Sequence, residues 1–491
     1  MNYYIGADLG TSSLKILLVT PDGRIVKEVS RKYPVSFPHP GWSEQEPQAW
    51  WDAFVSAVRE LSAEYGKDIK GIAAGGQMHG LVALDRADNV IRPAILWNDG
   101  RTAEETDYLN DVIGKARLSE LTGNIAYAGF TAPKLLWMAK HEPDDFARIA
   151  KIMLPKDYLN YKLTGVHCTD PSDASGMLLF DVKRRRFSDE MLEVCGVDRN
   201  AVPKVFESAE AVGVLSGDAA AVLGLEPGIP VAAGAGDNAA AAVGTGAVVN
   251  GRCNISLGTS GTIFIATDEF TDSPGNELHS FCHADGGWHL MGCILSAASC
   301  NEWFCDRILG SGDYRTLEAA IPDELLGAND VFFLPYLMGE RSPINDTDAR
   351  GTFTGLRLDT TRAAMELAVL EGVAFAVRDN LEAARRQGVN ITQSTLCGGG
   401  AKSPLWQQII ANVLNIDILI PETEQGPGYG AAMLAMTAAG EYPSVRAASE
   451  AICGVRKVIR PEPELARKYE DRYARYREIY PAMKALFKKL K

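Results

Sequence analysis

Apolar positions along this chain come in short runs at first and in longer periodic stretches later. Residues 3–7, 14–19 and 25–29 are apolar runs separated by Leu9-Gly-Thr-Ser-Ser13 and Pro21-Asp-Gly23. Run lengths and turn residues together predict three strands in two successive hairpins. From Pro47 the period changes: Trp50, Trp51, Phe54, Val55, Val58 and Leu61 recur at helical spacing, and Pro47 suits a first helical turn. Residues 69–74 predict a strand running into Gly75-Gly-Gln-Met-His-Gly80, and 95–97 leads likewise into Asn98-Asp-Gly-Arg101. Strands that run into glycines and polar residues commonly end at a binding crevice in α/β proteins. This makes His79, Asn98, Asp99 and Arg101 candidates for a polar ligand. Residues 102–230 read as mostly helix and loop. Strands at 253–257 and 262–266 then enclose Gly258-Thr-Ser-Gly261. Residues 361–388 predict one long helix or a helix pair. A strand at 394–397 leads into Gly398-Gly-Gly-Ala-Lys-Ser403, where Ser403 can cap and Pro404 can open the next helix. Gly426-Pro-Gly-Tyr-Gly430 starts another helix, and 463–490 predicts a surface helix.

The opening repeats itself. Asp8-Leu-Gly-Thr-Ser-Ser13 and Ser256-Leu-Gly-Thr-Ser-Gly261 agree at four of six positions, 248 residues apart. Such a repeat implies two copies of one domain, residues 1–245 and 246–491. Each hairpin tip offers backbone N–H groups and hydroxyls to an anion, and Lys15 adds a positive charge beside the first. Either tip alone is an ordinary turn. Two facing tips can grip a polyphosphate from both sides.

The stretch Ala233-Gly-Ala-Gly-Asp-Asn-Ala-Ala-Ala-Ala-Val243 carries one acid, Asp237, and one amide, Asn238, among small residues. The Ala run starts a helix, so the carboxylate lies where the dipole favours an anion. Asp237 is a helix cap on one reading and a general base beside a bound hydroxyl on the other.

Composition narrows the class. A chain of 491 residues is expected to form two domains. Hydrophobic residues at 46% and charged ones at 23% are ordinary for a soluble globular protein. The net charge of −14 argues against nucleic acid as a partner. No uncharged apolar stretch reaches membrane-spanning length, and Asp8 interrupts the opening apolar run without a basic segment before it. The nine cysteines include no Cys-x-x-Cys pair, which fits reduced thiols in the cytoplasm. His279, Cys282, His283, His289 and Cys293 crowd together, but their spacings match no common zinc motif, so buried thiols and scattered histidines are expected. The basic run 183–186 reads as a solvated face.

These motifs resemble the FGGY carbohydrate kinases, whose fold is the duplicated ATPase fold of actin, Hsp70 and hexokinase. The resemblance rests on Ile5-Gly-Ala-Asp-Leu-Gly-Thr-Ser-Ser13, Trp42-Ser-Glu-Gln45, Gly76-Gln-Met-His-Gly80, Leu96-Trp-Asn-Asp-Gly-Arg101, Leu154-Pro-Lys-Asp-Tyr158, Gly236-Asp-Asn-Ala239, Ser256-Leu-Gly-Thr-Ser260, Phe333-Leu-Pro-Tyr-Leu337 and Cys397-Gly-Gly-Gly-Ala401. They run in family order over nearly the whole chain, and the third and fourth are most similar to the xylulokinase branch. The resemblance implies an α/β fold of two ribonuclease H-like domains with a cleft between them. It implies ATP and Mg²⁺ as cofactors, and transfer of phosphate to the terminal hydroxyl of D-xylulose. By the same resemblance Asp237 is the catalytic base and Asp8 the acid near the magnesium ion and phosphates, with both acids near the metal, directly or through water. Met78, His79 and Asn238 face the sugar, with Trp97 and Asp99 on the adjacent loop. Thr11, Ser12 and Lys15 belong to the first phosphate loop, Gly258 and Thr259 to the second, and Gly399 and Gly400 to the adenosine turn. Tyr429 departs from the family's usual small residue, which implies altered packing near the nucleotide. Family members are often dimers, but no stretch here identifies an interface. The rivals are a kinase for another sugar or polyol (ribulose, gluconate or erythritol) and an actin- or Hsp70-like ATPase.

Overall fold

A computed structural model describes residues 1–271 and 273–490. Its core is two mixed sheets built on the same plan. In the first, Tyr3–Leu9 is antiparallel to Ser13–Val19, which is antiparallel to Ile25–Lys32; on its other side Tyr3–Leu9 runs parallel to Ile69–Gly76. Pro230–Ala232 and then Ala211–Val214 extend that side. In the second, Arg252–Leu257 is antiparallel to Gly261–Thr267 and parallel to Gln393–Cys397. Trp288–Ile294 and His279–Cys282 lie beyond Gly261–Thr267, with Asp417–Pro421 and Val455–Ile459 on the opposite side. The matching orders confirm the duplication read from the two Gly-Thr-Ser tips.

Helix Pro47–Tyr65 buries Trp50, Trp51, Phe54, Val58 and Leu61 against the first sheet, each such side chain contributing roughly 1.5–3 kcal/mol. Residues 361–388 form one helix, Arg362–Arg386, capped by the Thr361 hydroxyl, with Leu367, Leu370, Val373 and Phe375 in the second core. Ser403 caps and Pro404 opens helix Pro404–Leu414 as expected.

Two expectations need correcting. The last helix, Pro463–Phe487, is not a surface helix: Tyr469, Tyr473 and Tyr476 are buried in the second core, and Arg472 pairs with buried Glu371 at 2.6 Å. The 102–230 region is mostly helix and loop as expected, with Ala211–Val214 near its end joining the first sheet. Arg185 is not merely solvated: it pairs with Glu207, donates to the Gly287 carbonyl and covers the Trp288 ring. Helix Gly426–Ala438 comes from the second repeat yet packs on the first sheet, within one apolar cluster with Tyr4, Leu17, Ala240 and Val243. That approach requires glycine. A Cβ on Gly6 would lie 2.0 Å from the Gly428 carbonyl oxygen, and one on Gly430 would lie 1.8 Å from that of Ala240. Among the described residues, no helix is long and apolar enough to cross a membrane.

Candidate active site

Asp8 lies at the end of the first central strand, paired across the hairpin with Lys15. Asp237 is the first residue of helix Asp237–Gly244, directly after Gly236, which pairs with Gly76 at the end of the neighbouring parallel strand. Both acids therefore project from the carboxyl ends of strands that flank Ile69–Gly76 on either side, where α/β sheets bind ligands. Gly236, not Asp237, holds the cap position. The Asp237 carboxylate accepts the Asn238 N–H at 2.7 Å and its Nδ2 at 3.0 Å. Burial pushes the Asp237 carboxyl up to about 7; the charge of Asp8 adds to this, and the Asn238 N–H opposes it. Burial raises Asp8 to about 6 against the pull of Lys15. Two mutually repelling carboxyls beside one lysine make a donor set suited to a divalent cation.

A buried layer beneath fixes these groups. Ser172 Oγ accepts the Gly236 N–H at 3.1 Å and donates to Asp170 Oδ2 at 2.5 Å. Lys156 Nζ lies 2.7 Å from Asp157, 2.9 Å from Asp170 and 3.6 Å from Asp173, and all four side chains are inaccessible. One ammonium cannot neutralise three buried carboxylates. Burial holds the Asp173 carboxyl well above the usual range, and the charge of Asp237 adds to this.

The wall beside Asp237 is Met78 and His79. Met78 packs against Gly236, where a Cβ would lie 3.0 Å from its Cγ. His79 has φ +69°, a left-handed conformation that costs a non-glycine residue energy. Its carbonyl is held there by Lys134 Nζ at 2.7 Å and Thr131 Oγ1 at 3.1 Å. Its Nδ1–H donates to the Gly176 carbonyl at 2.7 Å and its ring stacks on Phe130. Burial lowers the imidazole to about 3, so it is neutral, with Nε2 an acceptor for a hydroxyl. Trp97 is 46% exposed and donates its indole N–H to Thr11 Oγ1 at 2.9 Å. Asp99 differs from expectation. Ser43 N and the Arg101 guanidinium occupy both its oxygens, at 2.6 to 2.8 Å, so it braces the loop instead of facing a ligand. Arg101 in turn pairs with Glu44 and lies 3.6 Å from the Trp42 ring centre.

The first tip is Gly10 to Ser13, the second Gly258 to Ser260. Ser12, Thr259 and Ser260 are exposed. The Thr11 hydroxyl is engaged by Trp97 and by Gln77 Oε1 at 3.3 Å, so it is not free for a phosphate as expected. Lys15 Nζ reaches Gln425 Oε1 at 3.1 Å, linking the first tip to the second repeat. Gly399 faces open space, which suits close approach by a ligand; the missing side chain of Gly400 instead makes room for the Trp406 ring. Tyr429 donates to the Gly23 carbonyl at 2.7 Å, at the far end of the first hairpin strands. That bond joins the two repeats. The histidines and cysteines of 279–293 pack into the second sheet, with His283 bonded to the Ala247 carbonyl.

Sequence models of the FGGY family of carbohydrate kinases match residues 3–244 with the N-terminal domain and 253–439 with the C-terminal domain. The chain belongs to the FGGY family of carbohydrate kinases. This FGGY kinase is 42% identical over 445 residues to the xylulose kinase of Escherichia coli, covering 90% of this chain and 91% of that one. A solved structure described as a xyloylose kinase from Brucella ovis is 43% identical, with TM-score 0.94 over 99% of this chain and 100% of that one. The gluconate kinase of Lactobacillus acidophilus reaches the same TM-score at 26% identity, covering 100% of both chains. Shared backbone geometry alone therefore does not separate sugar from sugar acid. The FGGY kinase motifs had given no role to Lys156, Asp170, Ser172 or Asp173. The available signal was Asp170-Pro-Ser-Asp173, a dense polar tetrad between apolar stretches, with Lys156 in the Leu-Pro-Lys-Asp-Tyr motif.

Proposed function

We propose that this chain transfers the γ-phosphate of Mg·ATP to the terminal hydroxyl of D-xylulose, giving D-xylulose 5-phosphate and ADP. The observation that carries the reading is Asp237: an acid raised to about 7, beside Asp8, at the foot of a wall formed by Met78 and neutral His79. A base with that pKa is ionised near neutrality yet still accepts a proton, the condition for general base catalysis. Similarity to xylulose kinases at 42 and 43% identity supports the acceptor.

In this reading the sugar hydroxyl sits against Asp237, which takes its proton as the oxygen attacks phosphorus. Asn238, whose Nδ2 is held by Asp237, turns its carbonyl oxygen to a sugar hydroxyl, and His79 Nε2 accepts a second. Ser12 and Lys15, with the backbone of Gly258 and Thr259, hold the phosphates, while Gly399 admits the adenosine. Asp8, with Asp237, would hold Mg²⁺, which neutralises phosphate charge when bound. The two duplicated units, 1–245 and 246–491, face each other across the cleft, and a cytoplasmic setting fits the reduced cysteines.

The test is ADP release from Mg·ATP with D-xylulose, L-xylulose, D-ribulose, L-ribulose, gluconate, erythritol and glycerol. The reading expects kcat/KM for D-xylulose to exceed every other acceptor. Preference for gluconate or a polyol would overturn the acceptor while keeping the kinase. ADP release indifferent to all of them would favour the actin-like ATPase.

A further inference from the structure

Two buried glutamines from the family motifs have no role in the chemistry above. Gln45 and Gln77 are each 2% exposed. Gln45 Nε2 donates to the Thr11 carbonyl at 2.6 Å and to that of Pro34 at 3.2 Å. Its Oε1 accepts from Trp50 Nε1 and Gln77 Nε2, both at 3.1 Å. Gln77 Oε1 accepts the Thr11 hydroxyl, and Gln77 N donates to the Leu9 carbonyl at 2.9 Å. Tyr33 Oη donates to the Gly10 carbonyl at 2.5 Å. The donors and acceptors of both amides are consistently used, which fixes their orientation.

These bonds have a geometric consequence. In a trans peptide the C=O and the following N–H point in opposite directions. Turning the Gly10 and Thr11 carbonyls inward, onto Tyr33 and Gln45, turns the Thr11 and Ser12 N–H groups outward. Neither N–H has an acceptor among the described residues. The network therefore aims the anion-binding groups of the first tip. It also reaches the opposite wall. Gln77 directly precedes Met78 and His79, and the half-exposed Trp97 holds the Thr11 hydroxyl from the other side.

We propose that Gln45, Gln77 and Trp97 are positioning residues that couple the sugar wall to the first phosphate loop. A ligand bearing on Met78, His79 or Trp97 then sets the orientation of the Thr11 and Ser12 N–H groups, and by linkage a bound triphosphate tightens the sugar. The coupling directs phosphate to the sugar rather than to water. This inference rests on the kinase reading, but its readout is separate.

The test uses Trp97→Phe, which keeps an aromatic ring and removes the N–H, and Gln77→Met, which keeps the volume and removes both polar ends. Binding of a non-hydrolysable Mg·ATP analogue is titrated with and without D-xylulose, alongside the melting temperature and the ratio of sugar phosphate to ADP. Losing one such hydrogen bond is worth roughly a three- to tenfold change in affinity. The expectation for Trp97→Phe is an unchanged melting temperature, a three- to tenfold weaker analogue complex, loss of the mutual enhancement by sugar, and more ADP than sugar phosphate. Gln77→Met shows the larger shift. Folded Trp97→Phe protein with wild-type analogue affinity, enhancement and product ratio would overturn the proposal. Failure of the wild type to phosphorylate any sugar would instead overturn the kinase reading.

Discussion

The two hairpin tips share the Gly-Thr-Ser sequence but are held in different ways. In the second, the Gly258 and Thr259 carbonyls accept main-chain N–H groups from Ala298 and Ala297, and Ser299 Oγ adds a bond to Thr259. In the first, side chains do the work: Gln45, Tyr33 and Gln77. Both schemes turn carbonyls inward and N–H groups outward. Main-chain support tolerates substitution, while side-chain support ties the tip to the residues beside it. Those neighbours differ too. The first tip follows Asp8; the equivalent position before the second is Ser256. A duplicated fold has thus placed Asp8, Asp237 and the Met78–His79 wall on one copy and left the other a simpler cradle.

Removing the acid that only the first half carries tests this asymmetry hardest. Asp237→Asn should lower kcat by about 10²–10⁴-fold with little change in analogue binding, read by steady-state kinetics and calorimetry. Retention of a tenth of wild-type turnover would take the base role from Asp237. The tips themselves give the next effect. Thr11→Ala loses the partner of both Trp97 and Gln77 and should raise KM for Mg·ATP by roughly three- to tenfold. Thr259→Ala, with an exposed hydroxyl, should change it by less than about twofold; equal effects would erase the distinction between tips. The last effect is on stability. The folded-state carboxyl of Asp237 titrates near 7, above its unfolded value of about 4. Between these pH values the folded protein keeps a proton the unfolded chain has released, so this group loses stability as pH rises. Asp237→Asn should therefore melt higher than wild type at pH 8 and about equal to it at pH 4, by calorimetry. A matched difference at both pH values would mean the carboxyl is not perturbed.

Much of this was legible in the residues. The repeated tip gave the duplication, because a hairpin is local and its turn residues identify it. Asp237 stood out as a lone acid among alanines and glycines. What escaped depended on partners far along the chain. Asp99 read as a ligand contact because nothing local reveals that Ser43 and Arg101 take its oxygens. Lys156, Asp170 and Asp173 lie close in sequence, but their burial beneath Gly236 is a tertiary fact. The final helix read as surface because its tyrosines sit among lysines and arginines; amphipathic side chains bury their rings and leave the tips to partners such as Asp379. The close approach at Gly6 and Gly430 gave no local sign, because the backbone each one meets lies far along the chain.

The most direct measurement of the central claim is phosphorus NMR of the products formed from Mg·ATP and D-xylulose. The account predicts one terminal phosphate ester of D-xylulose for each ADP, with little inorganic phosphate. ADP accompanied by inorganic phosphate alone would contradict it.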